Sequence, residues 1–400
     1  MVPALSASAQ RNPLSMPNPF PYWRLSGFYF FYFAFVGVMS PYWGLYLKSL
    51  QFSALQIGVL MSLLAVMRIF APNVWGWIAD HTGRRVLIVQ VAAAASLVAF
   101  AGVFFGSGFL WLFAVMGLMS FFWSASLPLV EATTLSHLGE RTASYGRIRL
   151  WGSVGFIFAV VGVGYVLDWV PISSLPWMVL AFLGGIALFS RHIPEAPAMR
   201  AEAAQQTVWR VLRKPEVMAL IAACFLMSAA HGPYYTFYSI YLVEHAYSKS
   251  SVGWLWAVGV ICEIGVFIWM PHLLRHFSLR RILLFSFAMA VLRFLLIAWG
   301  VEWFALVLFA QTLHAFSFGA YHAAAVALIH HYFHGRNQAR GQAIYASLSF
   351  GAGGALGSLY SGYTWEALGP QLTFSIAAGL ALLAMLVLLL KLKPVEESET

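Results

Sequence analysis

The chain has 400 residues, 61% of them hydrophobic and only 9% charged, with a formal net charge of +9. Soluble domains carry about 25% charged residues, so a soluble globular fold is excluded, and the apolar stretches leave no room for a sizeable soluble domain. The basic residues are spread over many loops and form no patch, which argues against a nucleic-acid partner; the only cysteines, Cys224 and Cys262, lie in apolar stretches and offer no disulfide framework.

Apolar segments of about 20 residues recur along the chain, the length that spans a ~30 Å hydrocarbon core as a helix. The N-terminal stretch 1–21 lacks the basic-then-apolar layout of a cleaved signal peptide, so the first helix is expected to direct insertion. The pattern predicts twelve transmembrane helices at 22–47, 56–79, 86–106, 109–135, 149–167, 176–193, 216–243, 252–274, 282–299, 303–332, 341–362 and 371–392. This all-α membrane protein divides into a tail (1–21), a six-helix bundle (22–193), a linker (194–215), a second six-helix bundle (216–392) and an acidic tail (393–400).

An even helix count puts both termini on one side. Arg84/Arg85, Arg141/Arg147/Arg149, the stretch Arg191 to Lys214, Arg275/Arg280/Arg281, Arg336/Arg340 and Lys391/Lys393 all fall on that side, against Lys48 and Lys249 opposite. Cytoplasmic loops carry the excess of Lys and Arg, so both termini and the linker are expected in the cytoplasm, as in a multi-pass protein of a bacterial inner membrane.

The two bundles repeat each other. Ser40-Pro41-Tyr42-Trp43 in helix 1 echoes Gly232-Pro233-Tyr234-Tyr235 in helix 7, and Arg84-Arg85 matches Arg280-Arg281. Gly58 and Gly253, Arg141 and Arg336, and Gly146 and Gly341 are each 195 positions apart. Parallel six-helix repeats about a midplane site are a transporter architecture.

Between helices 2 and 3 stands Gly76-Trp77-Ile78-Ala79-Asp80-His81-Thr82-Gly83-Arg84-Arg85. It resembles the G-x-x-x-D-x-x-G-R-R/K signature of the major facilitator superfamily. Glycines there permit a tight turn and close helix approach, and Asp80 can pair with a basic residue or a helix N-terminus. Gly76, Asp80, Gly83, Arg84 and Arg85, with Arg147 and Arg149 before helix 5, are the expected gating set. In the second half the signature is degenerate, with Pro271, Arg275 and Ser278 near its key positions. Pro41-Tyr42-Trp43-Gly44-Leu45-Tyr46-Leu47, Trp75 to Asp80, and Tyr145-Gly146-Arg147-Ile148-Arg149-Leu150-Trp151-Gly152 together resemble the phenylpropionate permease branch, related to lactose and nucleoside permeases. That resemblance implies proton symport by alternating access.

Ionisable residues inside spans are expensive and mark function. Glu263 and Arg293 each sit about eleven residues into their helices, at one depth given ~1.5 Å per residue. They are read either as a proton carrier tuned by a cation or as a structural ion pair. His314 and His322 in helix 10 join them, and similar acid, arginine and histidine placement is a feature of the lactose permease branch. Arg68 and Glu131 are candidates for substrate contact, gating or pairing with each other; Glu131 has Arg147 and Arg149 as further partners. His231, beside Gly232-Pro233, is read as a packing histidine or a substrate or proton contact. The i, i+4 pairs Tyr42/Tyr46 and Tyr234/Tyr238 share helix faces and offer rings to clasp an aromatic substrate. His330, His331 and His334 read as a solvated helix end rather than a metal site, and Gly351 to Gly357 as a close-packing stripe.

No nucleotide-binding or hydrolytic motif is present. The expected protein is no enzyme and needs no cofactor beyond the coupled proton. It is expected to act as a lipid-embedded monomer moving a small aromatic carboxylate; the alternatives are a proton symporter of a nucleoside or sugar, and a non-transporting membrane sensor. In a background lacking Cys224 and Cys262, Ala203→Cys in the linker should stay unlabelled when intact cells meet an impermeant thiol reagent, and Ser248→Cys should react. The reverse pattern would overturn the orientation.

Overall fold

The computed structural model describes residues 20–139, 141, 144–196 and 208–392. The tail 393–400, most of the tail 1–21 and residues 197–207 of the linker fall outside these residues. Within them the chain is a bundle of long helices: α1 (Tyr22–Ser49), α2 (Ala54–Thr82), α3 (Arg85–Ala101), α4 (Phe109–Leu138), α5 (Tyr145–Trp169), α6 (Leu175–Ser190), α7 (Pro215–Glu244), α8 (Lys249–His276), α9 (Leu279–Gly300), α10 (Phe304–Tyr332), α11 (338–368) and α12 (Pro370–Lys391). A short helix, Val208–Leu212, precedes α7. With no water to satisfy the backbone in a bilayer core, helices that bond internally are the natural spans.

Local chemistry sets where these helices begin and end. Ser53 and Gln56 form a capping box at the start of α2. Gly83 ends it in the left-handed region, at φ 65°, where a Cβ would be strained. Ser248 and Ser278 cap α8 and α9, and Pro215 and Pro370 open α7 and α12, where proline's missing N–H does no harm. In α7 the helix breaks at His231, because Pro233 has no N–H to continue the ladder.

Eleven of the twelve rods are long and apolar enough to cross a membrane. The remaining one, α11, is rich in glycine and serine. It runs through a π-helical segment, Ser347–Gly353, between two α-helical pieces. A second π-helical segment, Ala315–Ala320, lies in α10. Such bulges recur at functional sites.

Call the side where the described chain starts and ends the terminal face, and the other the distal face. In the first half α1 packs on α5 and α6, and α4 on α2 and α3; in the second, α12 packs on α7 and α9, and α8 on α10. The halves meet along α2–α11, α5–α8 and α1–α7. Cross-half hydrogen bonds and ion pairs cluster on the distal side: Tyr42 with Lys249, Asp168 with the start of α8, Tyr165 with Trp254, and Lys48 with Glu244. Toward the terminal face a Cβ on Gly76, Gly146 or Gly265 would meet open space. The close helix approach expected at Gly76 is therefore absent.

Close packing falls instead on α11. A Cβ on Gly357 would lie 2.7 Å from the Ala229 carbonyl oxygen and 2.9 Å from the Gly232 Cα, both on α7. Gly357→Ala should therefore destabilise the purified protein by about 1–3 kcal/mol, seen as a lower Tm in detergent. Gly162→Ala, where nothing lies within 4 Å, should leave Tm unchanged or raise it; equal effects would refute the packing argument.

Candidate substrate and coupling site

The break in α7, the π segment of α10, and α8 and α9 gather the polar residues of the second half. Arg293 on α9 is fully buried. Its Nη1 donates to Ser317 Oγ at 3.3 Å and its Nη2 to Gln311 Oε1 at 3.4 Å, and its guanidinium lies 4.1 Å from the centre of the Tyr234 ring. The Tyr234 hydroxyl also donates to Gln311 Oε1, at 3.0 Å, while Gln311 Nε2 donates to the Tyr238 hydroxyl at 2.7 Å. Gln311 thus fixes two tyrosines and the arginine at once. The Tyr234 and Tyr238 rings stack at 4.9 Å, and Trp256 lies against Tyr234 at 4.5 Å.

Glu263 on α8 does not pair with Arg293, as their common depth suggested. Its carboxylate lies 3.7 Å from His314 Nε2. Equal depth places two residues at one level but leaves their angular position open, and the α10 residues turn His314 toward α8. His231 is buried, with its Nδ1 2.8 Å from the Met227 carbonyl. That nitrogen carries the proton, because a carbonyl only accepts. Nε2 of His231, Nδ1 of His314 and Nε of Arg293 have no protein partner. His322 contacts the Tyr345 hydroxyl at 3.2 Å and lies against Phe318 and Phe350.

In the first half the cations lie on rings. Arg68 of α2 is exposed, 5.8 Å from the centre of the Trp123 ring, and does not pair with Glu131. Trp123 stacks on Tyr32 at 4.6 Å and 9°. Arg149 of α5 lies 3.8 Å from the Phe33 ring centre and 6.0 Å from that of Tyr29. Glu131 accepts a hydrogen bond from the Tyr145 hydroxyl at 3.2 Å; neither Arg147 nor Arg149 comes within ion-pair distance. Arg149 belongs to this interior cluster and not with the exposed Arg147. Its guanidinium lies within electrostatic reach of Glu131, and of Glu263 and His322 in the other half. Its place in the tyrosine–glycine motif at the start of helix 5 gave a signal, but one read as a gate.

Two expected ring contacts lie elsewhere. The buried Tyr42 donates its hydroxyl to the Val160 carbonyl at 2.6 Å and the Lys249 carbonyl at 3.1 Å, so it bridges helices on the distal side instead of facing a substrate. Tyr46 stacks on Trp43 at 4.7 Å. Asp80 is exposed and contacts Arg85, the first residue of α3, at 3.6 Å within its own half. His334 lies beyond the end of α10, so His330 and His334 share no helix face there, and among the described residues no cluster of three metal-ligating side chains occurs.

A helical bundle in two six-helix halves, with ionisable residues on interior faces, defines a membrane transporter of the major facilitator kind. The chain belongs to the MFS_1 like family, whose family model matches residues 22–376, and is a secondary transporter. Among curated relatives, a probable 3-phenylpropionic acid transporter of Escherichia coli (strain K12) is 28% identical over 379 residues, covering 91% of this chain and 96% of that protein. The maltose permease of Geobacillus stearothermophilus is 29% identical over 371 residues, covering 90% and 93%. Among solved structures, the nucleoside transporter NupG superposes with a TM-score of 0.80 at 18% identity, covering 94% of this chain and all of that one, a likeness of fold.

Removing the Gln311 amide would leave Arg293 and two tyrosine hydroxyls short of partners. Gln311→Met should destabilise the protein by about 1–3 kcal/mol, read as a drop in Tm. Gln311→Glu, which keeps the acceptor and adds a counter-charge, should melt at or above the parent temperature. A parent-like Gln311→Met would show that the network contributes nothing.

Proposed function

We propose that the chain is a proton-coupled symporter of a small aromatic carboxylate, working by alternating access. One observation carries the reading. Arg149 and the buried Arg293 reach the interior beside two glutamates, Glu131 and Glu263, while Arg68 is exposed beside Trp123, and among the described residues none of the three arginines has a carboxylate within 4.0 Å. Each lies on an aromatic ring instead. An unpaired cation in a low-dielectric site is costly, and an organic anion supplies the missing charge while its ring meets Trp123, Tyr32, Phe33 or Tyr234. Charge-assisted hydrogen bonds from arginine hold the carboxylate. The similarity to a probable 3-phenylpropionic acid transporter supports the same class.

Register supplies a coupling mechanism. Phe156 of α5 meets Trp256 of α8 across the halves, 6.5 Å apart. Two helical turns further toward the terminal face, on the same sides of these helices, stand Arg149 and Glu263. Closing the terminal side brings the two together. A substrate anion on Arg149 and a proton on Glu263 leave no unpaired charge to be buried; with both sites empty, the two residues pair directly. Loading only one strands a charge, and closure is disfavoured. Arg293, Gln311, Tyr234 and Tyr238 hold the second wall, and His314 is the proton's neighbour. In the terminal-closed state Asp80, Arg84 and Arg85 serve the gate, and positive-inside placement puts the terminal face in the cytoplasm.

A neutral sugar or nucleoside would leave the arginine charge uncompensated, although the likeness to a maltose permease keeps these ligands in the test. In a thermal-shift screen, 3-phenylpropionate should raise Tm and maltose and uridine should not. In proteoliposomes Glu263→Gln should lose proton-driven accumulation and keep substrate exchange, whereas Arg149→Gln should lose both by tenfold or more, since a charge-assisted hydrogen bond contributes about 1.5–3 kcal/mol. Stabilisation by maltose or uridine alone would overturn the substrate class, and uphill accumulation by Glu263→Gln would move the proton site elsewhere.

A further inference from the structure

We infer that Asp168 is a cap supplied across the two halves: the last turn of α5 closes the distal side by capping the start of α8, and the contact holds the carrier in its distal-closed state. The first backbone N–H groups of a helix have no partner within it. At α8 they are divided between the halves. Ser248, in the same half as α8, accepts from Ser251 N–H at 3.1 Å. Asp168, in the other half, accepts from Lys249 N–H on Oδ1 at 2.8 Å and from Ser250 N–H on Oδ2 at 3.2 Å. The helix dipole adds attraction for the carboxylate at this end. Tyr42 reinforces the same junction from α1, through the Lys249 carbonyl. Glu244 and Lys48 form a further cross-half pair on this face.

The consequence is an asymmetric gate. Opening the distal side must break the Asp168 bonds and leave two α8 amides to water, whereas the Ser248 cap travels with its own helix and is indifferent to the state. Deleting either cap weakens the start of α8, but only the loss of Asp168 changes the balance between states.

Spin labels or fluorophores at Ser173→Cys and Glu302→Cys, on distal loops of the two halves, report the opening in a background lacking Cys224 and Cys262. Asp168→Asn should shift the ratio of closed to open distances toward open by about fivefold. Ser248→Ala should leave that ratio unchanged. Lys249→Pro provides a second variant: it deletes the N–H that Oδ1 captures, at a first-turn position that tolerates proline, after an extended Ser248 suited to precede it. It should also shift the distances toward open. Unchanged distances in folded Asp168→Asn overturn the proposal; should that variant fail to fold, unchanged distances in Lys249→Pro do so. A shift in Ser248→Ala as large as in Asp168→Asn also overturns it, because helix-start stability would then explain both.

Discussion

A guanidinium held in the bundle with no carboxylate partner among the described residues is the constraint on which the interior of this protein turns. At Arg293 the surroundings are almost wholly neutral: a serine hydroxyl, a glutamine carbonyl oxygen and a tyrosine ring. Each offsets part of the desolvation cost, the ring through its quadrupole and the oxygens through charge-assisted bonds. None removes the charge. The surrounding architecture serves that arrangement: Gln311 reaches Arg293 and Tyr238 together, and Ser317 lies in the π-helical segment that also follows His314. A fixed counter-ion would have made this region more stable and less able to accept a mobile one.

The packing follows a complementary logic. Where α11 crosses α7, glycine against glycine brings backbones into contact, and the second half is held together tightly. Between halves glycines also bring backbones close, since a Cβ on Gly58 would lie 2.6 Å from the Ser358 carbonyl oxygen and one on Gly253 2.5 Å from that of Val160. Directional bonds are added at the distal face, where the Tyr42 hydroxyl and the Asp168 carboxylate meet backbone groups of α8 and Lys48 meets Glu244. Close-packed apolar surfaces resist sliding, whereas a few directional polar bonds break together and re-form with water. Tight cores within the halves, and a seam of small residues and polar bonds between them that parts as a unit, suit rigid-body rocking.

Length, charge and repeat were legible in the sequence because they are properties of single segments. Apolar runs show spans, loop arginines show sides, and the spacing of Gly58 and Gly253 shows the duplication. Glu263, Arg293, Arg68 and Glu131 stood out because any charge in an apolar run does. Depth could be counted along a helix, but rotation about its axis could not. Arg293 and Glu263 share a level and take different partners, since α10 puts Gln311 and His314 between the expectations. The i, i+4 spacing of Tyr42 and Tyr46 shows a shared face but not what that face meets, and the loop position of Arg149 hides the face it shares with Phe156. Asp168 gave no signal, because a carboxylate at the end of a span looks like the edge of the membrane until α8 is seen beneath it.

These elements place opposing demands on one equilibrium. The distal fastenings favour the form described here, while in the proposed mechanism Arg149 and Glu263 favour the opposite one whenever their charges are matched. Neither bias needs to be large, because a carrier works only if both states are populated and a few kcal/mol would freeze it in one. A distal cap of modest strength, set against the central pair of the proposed mechanism, would keep the balance close enough for a bound proton and anion to decide it. Strengthening either side alone would slow turnover, so the polar atoms of His231, His314 and Arg293 that lack a protein partner suit exchange between the two forms.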